Sequence, residues 1–337
     1  MADEPINTTP LTNPAQFKAI ADAIRAKTGE TGTIVANDFA EKIENLPQGV
    51  DKPSWVQVTM PSGSWRAVCY GDGKFVAVAR NIKIAAYSTD GINWTQTTLP
   101  TSANWLSVGY GDGKFIALAN GKNIGAYSTN GINWTQITLP ASVYWRAVCY
   151  GNGKFVAMAG GSDTGAYSTD GINWTQTTLP ASKSWCSVCY GDGKFVAVAD
   201  SSNIAAYSTD GINWTQTTLP VTSNWGSVCY GNGKFVAVAY NYNTAAYSTD
   251  GINWTQITLP ITKYWGSVCY GNGKFVISVS AGDKIAIYST NSINWTQTTL
   301  PTSSNWQSIC YGNGKFVVVS ESYSIAAYLK DYFDSWV

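Results

Sequence analysis

The sequence predicts an all-β fold: a seven-bladed β-propeller of four-stranded repeats, preceded by a small α-helical N-terminal segment. A tryptophan recurs at intervals of 40 residues and finally 41, at positions 65, 105, 145, 185, 225, 265 and 306. A second repeated stretch, Tyr-Ser-Thr-Asp-Gly-Ile-Asn-Trp, ends at Trp94 and returns with small changes at Trp134, Trp174, Trp214, Trp254 and Trp295. Because a period near forty with four short apolar runs is typical of a propeller blade, each repeat is predicted to form one blade.

Composition narrows the classes of function. The 337 residues carry 21 basic and 21 acidic side chains, so no basic excess favours a nucleic-acid partner. No apolar run approaches the roughly 18 residues that cross a bilayer, which predicts no membrane insertion. The acidic start, Met1 to Glu4, predicts synthesis in the cytoplasm without a signal peptide. Histidine is absent, which removes the commonest zinc ligand and general base, and we expect no cofactor and no metal.

Residues 1–50 are predicted to form a separate helical segment for attachment or oligomerisation, and residues 51–337 the propeller. Asn13 is a candidate N-cap with Pro14 at the first helical position, and apolar residues follow at helical spacing until Gly29. A second short helix is predicted from about Asp38 to Leu46. A segment this short buries too little apolar surface to be stable alone. We therefore expect it to dock onto the propeller, a partner or its own copies.

This segment also carries a resemblance. The stretch 17–29, Phe-Lys-Ala-Ile-Ala-Asp-Ala-Ile-Arg-Ala-Lys-Thr-Gly, with Asp38-Phe39-Ala40 and Ile43, resembles a short segment frequent in tail and baseplate-associated proteins of phages and prophages. It covers about a tenth of the chain. The resemblance implies that residues 1–50 contact other tail or particle proteins or form a homo-oligomer, and that the chain belongs to a virion or a prophage-encoded particle.

Four strands, A to D, are predicted in each repeat. In the first repeat they are Trp65–Tyr70, Lys74–Ala79, Ile84–Ser88 and Trp94–Leu99. Gly71-Asp72-Gly73 is predicted as the tight A–B hairpin turn. The chain ends after strands A, B and C of the last repeat, whereas residues 54–60 mimic a strand D. We therefore predict that the N-terminal strand completes the last blade and closes the ring.

The C–D turn carries a second resemblance. The stretch Ser88-Thr89-Asp90-Gly91-Ile92-Asn93-Trp94 resembles the Asp-box of sialidase-like propellers, although it is one residue shorter between Asp and Gly. The resemblance implies that Asp90 accepts backbone hydrogen bonds within the turn and that the Trp packs into the blade. Asn replaces this Asp in two repeats, at Asn130 and Asn291.

Sialidases use a cluster of arginines and a Tyr–Glu pair. The predicted propeller has only three arginines, Arg66, Arg80 and Arg146, and one glutamate, Glu321. We therefore predict no catalytic residues and no enzymatic activity, with a sialidase-like glycosidase as the alternative.

Six cysteines share one position of strand A. They are expected to be small buried residues, far apart around the ring and free of disulfides: Cys69, Cys149, Cys189, Cys229, Cys269 and Cys310. Cys186 lies off this pattern and is predicted beside the channel mouth.

The repeats differ from one another in three places: the D–A connections, the B–C connections and the residue after the strand A tryptophan. In an up-and-down blade these places lie at the same end, so the variation maps to one face and predicts a binding surface. Its polar and aromatic side chains suit adaptable recognition. The candidate ligand-binding residues are Arg66, Arg80, Asn104, Tyr144, Arg146, Lys183, Asn224, Tyr240, Tyr242, Tyr264 and Tyr323.

The leading hypothesis is a non-catalytic adhesin, lectin-like, whose variable face binds a host-surface glycan or protein. Several copies on one particle would strengthen weak contacts through avidity. The alternatives are the glycosidase acting on surface sugars and an intracellular scaffold for protein interactions.

Overall fold

The computed structural model describes residues 54–330, and every regular element within them is a β-strand. The predicted N-terminal helices lie outside the described residues, so the domain boundary at residue 50 stays a prediction. No segment of the described range forms a helix with the length and hydropathy needed to cross a membrane.

Twenty-four strands follow one another within residues 54–330. They are β1 Ser54–Thr59, β2 Trp65–Gly71, β3 Lys74–Ala79, β4 Ile82–Ser88, β5 Thr95–Gly111, β6 Lys114–Ser128, β7 Thr135–Gly151, β8 Lys154–Gly160, β9 Ser162–Ser168, β10 Thr175–Gly191, β11 Lys194–Asp200, β12 Ser202–Ser208, β13 Thr215–Ser223, β14 Trp225–Gly231, β15 Lys234–Ala239, β16 Thr244–Ser248, β17 Thr255–Thr258, β18 Trp265–Gly271, β19 Lys274–Val279, β20 Asp283–Ser289, β21 Thr296–Ser304, β22 Trp306–Gly312, β23 Lys315–Ser320 and β24 Ile325–Lys330.

These strands form repeated four-stranded antiparallel sheets in the order A-B-C-D. Three sheets are separate: β14-β15-β16-β17, β18-β19-β20-β21 and β22-β23-β24-β1. The first four repeats are joined, because β5, β7 and β10 each run from strand D of one repeat into strand A of the next.

Burial along a repeat explains why each strand has its sequence. Strand B is apolar throughout, and Phe75 to Ala79 are fully buried because both faces of this strand are packed. Strand D alternates buried Leu99 with exposed threonines and Gln96, which places it at the solvent-facing edge. The strand A tryptophan, Trp65 in the first repeat, is fully buried against strand B.

The A–B turn is the tight hairpin that the sequence predicts. Asp72 and Gly73 have φ values of 46° and 70°, and Gly71 pairs with Lys74 across the turn. Asp or Asn followed by Gly tolerates this left-handed conformation, so the repeated Gly-Asp-Gly and Gly-Asn-Gly sequences are explained by the turn.

Adjacent repeats pack through a tyrosine that covers a glycine. A Cβ on Gly71 would lie 2.0 Å from Cγ of Tyr110, so only glycine fits beneath the ring. The same contact recurs between successive repeats, and the last repeat makes it with the first, where Tyr70 covers Gly312 at the same 2.0 Å. The two ends of the array are therefore joined by the contact that joins its interior repeats.

A hydrogen bond and a strand pairing also join the ends. Ser308 Oγ accepts the Val68 backbone N–H at 3.1 Å, as Ser107 Oγ accepts that of Val148 between interior repeats. Strand β1 lies at the outer edge of the last sheet beside β24, and Met60 N donates to Ser324 O at 2.8 Å. The prediction that residues 54–60 complete the last repeat is confirmed.

The D–A connections differ from the predicted loops. In three places strands D and A form one continuous strand, and Lys183 is paired with Ser162 of the B–C connection. Similar pairs, such as Ile82 with Ala103, extend the sheet at this end of other repeats. Strand D was predicted to end at Leu99 and the next strand A to begin at its tryptophan, whereas backbone pairing with the B–C connection continues the strand between them.

The cysteines of the described residues are free, as predicted, but only Cys310 is buried and the other repeat cysteines are half-buried. Burial raises the pKa of each of these thiols, to about 12 for Cys269. Neighbouring thiols add to the effect, because Cys149 raises the pKa of Cys189, and Cys69 and Cys269 raise that of Cys310.

The C–D turn is held by the side chain of its aspartate. Asp90 Oδ1 accepts the backbone N–H groups of Ile92 and Asn93 at 2.8 Å, and Trp94 Nε1 donates to Gly91 O at 3.3 Å. Asn130 Oδ1 makes the same two backbone contacts at 2.9 Å, so an amide oxygen is sufficient. Burial alone would raise the pKa of Asp90, but the hydrogen bonds from Asn93 and Ile92 outweigh it and hold this pKa at about 2.

The turn aspartates predict an acid-sensitive fold. The pKa values of Asp170, Asp210 and Asp250 are also depressed, so the four carboxylates stabilise the fold above their unfolded pKa of about 4. This stabilisation is lost as the pH falls from about 4 through 2. We expect a variant with Asn at positions 90, 170, 210 and 250 to remain folded at pH 7 and to lose less melting temperature on acidification. Identical acid dependence of the two proteins in thermal melts would contradict this role.

Candidate functional site

Each strand A contains a β-bulge immediately after its tryptophan. In the first repeat Trp65 pairs with Ala79 and Ala67 pairs with Val78, so Arg66 has no partner on strand B. The same shift occurs in all seven A–B pairs. A bulge redirects a side chain without ending the strand, and here it frees one position per repeat from the ladder.

The seven bulge residues line one pocket. These residues are Arg66, Leu106, Arg146, Cys186, Gly226, Gly266 and Gln307, and the pocket has a volume of about 470 Å³. The remaining lining residues are Asp200, Asn224, Tyr240 and Glu321, which lie in the B–C and D–A connections. The volume falls within the range of small-molecule sites, roughly 300–1,000 Å³. The positions that differ most between repeats therefore converge on a common cavity, which we call the mouth pocket.

One side of the mouth pocket is a charged cluster around Glu321. Arg80 Nη1 pairs with Glu321 Oε1, and Arg66 Nη1 lies 3.4 Å from Glu321 Oε2 and donates to Gln307 Oε1. Arg80 Nε also donates to Asn104 Oδ1 at 3.2 Å. Burial lowers the pKa of Arg66, and the charge of Glu321 opposes that shift. The cluster joins the first repeat to the last with its charges largely satisfied.

Arg146 lies in a different environment. Its Nη1 donates to Ser184 Oγ at 3.0 Å and to Cys186 Sγ at 3.0 Å. A Cβ on Gly160 would lie 2.7 Å from Arg146 Cδ, so the side chain occupies space that only glycine leaves open. Burial raises the pKa of the Cys186 thiol, against the influence of the Arg146 charge. Cys186 therefore lies beside the mouth, as predicted, as a neutral thiol.

The opposite side of the mouth pocket is open and aromatic. Gly226 and Gly266 contribute no side chain, and Tyr240 and Tyr264 meet edge to face with ring centroids 5.3 Å apart. Two residues after Tyr240, the backbone carbonyl of Tyr242 accepts a hydrogen bond from Trp265 Nε1 at 2.9 Å. In the other six repeats this tryptophan donates to a carbonyl four residues earlier, so the connection near Tyr264 follows a different path.

The predicted binding residues all lie at this end of the repeats, but only some line the pocket. Arg66, Arg146, Asn224 and Tyr240 line it. The five tyrosines of the prediction are among the most exposed large side chains, with exposed fractions from 39% for Tyr240 to 62% for Tyr144. The seven predicted residues that do not line the pocket lie around it at the same end of the repeats: Arg80, Asn104, Tyr144, Lys183, Tyr242, Tyr264 and Tyr323.

Several lining residues were missed by sequence reasoning. Glu321 and Asp200 occupy the repeat position of Arg80 and Tyr240, directly after strand B, so their alignment with predicted residues was an available signal. Gln307, Leu106 and the two glycines share the bulge position with Arg66 and were recognised as variable but not as site residues.

Within residues 54–330 no group of three or more His, Cys, Asp or Glu side chains is placed to hold a metal ion. The carboxylates in the mouth pocket are instead in contact with guanidinium and hydroxyl groups, since Asp200 Oδ1 accepts from Ser201 Oγ at 3.2 Å. The polar groups of this site are therefore suited to hydrogen bonding with a ligand.

The fold is shared with several solved β-propellers. Virginiamycin B lyase from Staphylococcus aureus is 16% identical over 82% of this chain and 99% of that chain, with a TM-score of 0.75. YCF48 bound to D1 peptide is 15% identical, covers 84% and 98%, and has a TM-score of 0.66. The Swd1 propeller domain of Myceliophteria thermophila is 8% identical, covers 80% and 97%, and has a TM-score of 0.63. At these identities the likeness shows the fold alone, and the chain is a β-propeller repeat protein.

Comparison by sequence gives no further assignment. No protein-family model matches the chain. No curated protein matches it significantly.

The prediction that the chain is not an enzyme is corrected by the structural comparison. Two lyases are among the similar structures, so this architecture supports catalysis in other chains. The prediction relied on the missing histidine and the missing sialidase-like arginine cluster, which exclude particular mechanisms and not catalysis in general. The mouth pocket contains three residues with reactive or acidic side chains, Glu321, Asp200 and Cys186, which the sequence prediction did not assign to catalysis.

Proposed function

We propose that this chain binds a ligand through its variable face, defined as the mouth pocket and the D–A and B–C connections around it. The ligand is a host-surface glycan or protein, and the chain acts as an adhesin on a phage tail or a related particle. Residues 1–50 attach it to other particle proteins or to further copies of itself. The phage assignment is supported by the resemblance of residues 17–43 to tail-associated segments.

One observation carries the proposal: seven bulge residues, one from each repeat, converge on a single pocket while differing in size and charge. If this pocket had only a structural role, the repeats would share a residue there, as they share the buried tryptophan one position earlier. Five exposed tyrosines around the same pocket supply rings for stacking.

Two finer structural proposals accompany this function. We propose that the seven repeats are seven blades of one closed ring, a reading that the Tyr70–Gly312 contact and the outer position of β1 support. We also propose that the C–D turns are shortened Asp-boxes, because Asp90 accepts backbone hydrogen bonds as that motif requires. In such a ring the A–B and C–D turns form the face opposite the variable one, and their sequences are nearly the same in most repeats.

The test is a comparison of two variants on an array of bacterial surface polysaccharides and in binding to whole cells. Tyr144, Tyr240, Tyr242 and Tyr323 are replaced by Ala on the variable face. The matched control replaces Ile172 and Ile293, also exposed large apolar residues, by Ala on the opposite face. We expect the tyrosine variant to lose at least about tenfold in affinity, since stacking and burial of two or three rings are lost.

The control variant is expected to bind as the wild type does. The control variant should melt within a few degrees of the wild type, because surface substitutions away from structural contacts change stability by about 0.5 kcal/mol or less. The tyrosine variant should stay folded but melt somewhat lower, because it also loses the ring contact between Tyr240 and Tyr264. Loss of binding in the isoleucine variant, with binding retained in the tyrosine variant, would contradict the proposal.

Two alternatives are favoured by specific observations. A protein or peptide ligand, as for an intracellular interaction scaffold, is favoured by YCF48, a similar propeller that is bound to a peptide. Catalysis on a bound glycan is favoured by the carboxylates in the mouth pocket and by the lyases that share the fold. Measuring product formation alongside array binding separates recognition from turnover.

A further inference from the structure

The two ends of the repeats differ in charge. The variable face carries eight cationic side chains against four anionic ones, whereas the face of A–B and C–D turns carries seven of each. On the variable face these are Arg66, Arg80, Lys83, Lys122, Arg146, Lys183, Lys263 and Lys284, against Asp163, Asp200, Asp283 and Glu321. A chain with no net charge therefore presents a positive field at the end where its repeats vary, which favours an acidic ligand.

Pairing within the variable face leaves one pocket cation available. Arg66 and Arg80 both contact Glu321, and Lys263 pairs with Asp283. Arg146 has hydroxyl and thiol acceptors, and no carboxylate of the described residues lies within ion-pair distance of it. A guanidinium gains most from an anionic acceptor, so Arg146 can form a stronger interaction with a ligand than with its present partners.

Two neighbouring residues, Gly160 and Ser184, fix the position of the Arg146 side chain. Any side chain at position 160 would overlap the Cδ atom of Arg146, and the third repeat has glycine at this position. Four other repeats have larger residues at the equivalent position: Arg80, Asp200, Tyr240 and Glu321. The Ser184 hydroxyl fixes one end of the guanidinium at 3.0 Å. The small residue in strand B and the long residue in strand A therefore form a complementary pair.

The other side of the mouth pocket provides a platform. The Tyr240 ring lines the pocket, and the edge-to-face contact with Tyr264 holds it in place. Gly226 leaves open space beside it, since the nearest atom to a Cβ there would be 3.7 Å away. Sugar rings pack well on such aromatic faces, and their hydroxyls suit acceptors such as Asp200 and the Asn224 amide.

We propose, on the basis of the function proposed above, that the mouth pocket binds one acidic sugar residue of a glycan. Its anionic group contacts Arg146, its ring stacks on Tyr240 and a hydroxyl donates to Asp200. A carboxylate and a phosphate offer Arg146 the same chemistry, so the glycan is acidic through a uronic acid or through a phosphorylated sugar. The carboxylates of Asp200 and Glu321 disfavour ligands with several negative charges, which limits recognition to one anionic group at a time.

The test compares three matched probes by calorimetry and saturation-transfer NMR: methyl glucoside, methyl glucuronide and glucose 6-phosphate. We expect at least one acidic probe to bind about tenfold more tightly than methyl glucoside, with a preference that weakens as salt is added. The stronger acidic probe identifies the source of the anionic group. Equal binding of the three probes, or no detectable binding of any, would overturn the proposal.

Variants locate the contact. Arg146→Met keeps the length of the side chain beside Gly160 and should abolish the preference for the acidic probe, and Arg146→Lys should keep part of it. Lys122→Met, which removes an exposed cation outside the pocket, should leave the preference within about twofold of wild type. An Arg146→Met protein that melts like the wild type and keeps the full preference overturns the proposal.

Failure here is distinguishable from failure of the proposed function. If methyl glucoside binds as well as the acidic probes and Tyr240→Ala abolishes that binding, the variable face is a recognition surface and the acidic specificity is wrong. If the tyrosine variant also binds polysaccharides and cells like wild type, the proposed function itself is wrong.

Discussion

Deletion of residues 1–61 is expected to destabilise the protein and cause it to aggregate, whereas deletion of residues 1–48 is expected to leave a folded monomer. The longer deletion removes β1, which is the outer strand of the last sheet, and leaves the edge of β24 unpaired. It also removes Trp55 and Met60, which are 6% and 3% exposed and pack in the apolar clusters of the last and first repeats. Loss of the one buried tryptophan alone costs about 3 kcal/mol or more.

An unpaired edge also provides a template for association, so the longer deletion should aggregate. Size-exclusion chromatography and thermal melts of the two proteins measure both effects. A peptide of residues 54–61, added in excess to the longer deletion, should restore part of the melting temperature because β1 then pairs in trans. Equal solubility and equal melting temperatures of the two deletions would disprove closure by β1.

Gly151→Ala is expected to be among the most damaging single substitutions in the chain. The added methyl group would lie 2.0 Å from Cγ of Tyr190, so the ring that joins two repeats must leave its place. Overpacking of this kind costs about 1–3 kcal/mol and sometimes more. Chemical denaturation of wild type and variant measures the change.

Two further variants test the cause. Gly226→Ala, where the nearest atom would be 3.7 Å away, should change the free energy of unfolding by about 0.5 kcal/mol or less. Tyr190→Ala combined with Gly151→Ala should cost less than the sum of the two single changes, because the clash is absent once the ring is removed. Additive costs would show that the contact between Gly151 and Tyr190 is not the source of the damage.

The fold follows closely from the repeated sequence. The spacing of tryptophans predicted the units, strand B was predicted within its observed bounds, and the position of β1 followed from counting strands in the last repeat. These features depend on local patterns that the chain repeats seven times. Strand D was predicted to end at Leu99, but Thr95–Gly111 is continuous, because main-chain pairing with the B–C connection needs no sequence signal.

The candidate site was predicted only in outline. Four of the residues predicted from sequence variation line the mouth pocket, including Arg146 and Tyr240, and their role in binding stays a prediction. Sequence variation could not reveal that Arg66 and Arg80 contact Glu321, more than 240 residues later in the chain, since this contact exists only when the ends meet. The contact between Arg146 and Gly160 also depends on the β-bulge at Arg146. Amino-acid composition does not reveal where the register of a strand shifts, so this contact could not be predicted.

The bulge after each strand A tryptophan has a consequence for how such a protein changes over time. Residues in the ladder must satisfy the sheet, whereas a bulged residue has no partner across the strands, so strand pairing does not restrict its side chain. Contacts outside the ladder still restrict one of these positions, because a Cβ on Gly266 would lie 2.5 Å from the Trp306 carbonyl oxygen. Leucine, cysteine, glutamine, arginine and glycine are all present at this position in one molecule. We therefore expect that exchanging residues at this position between repeats would alter the wall of the mouth pocket while leaving the strand pairing of each repeat unchanged.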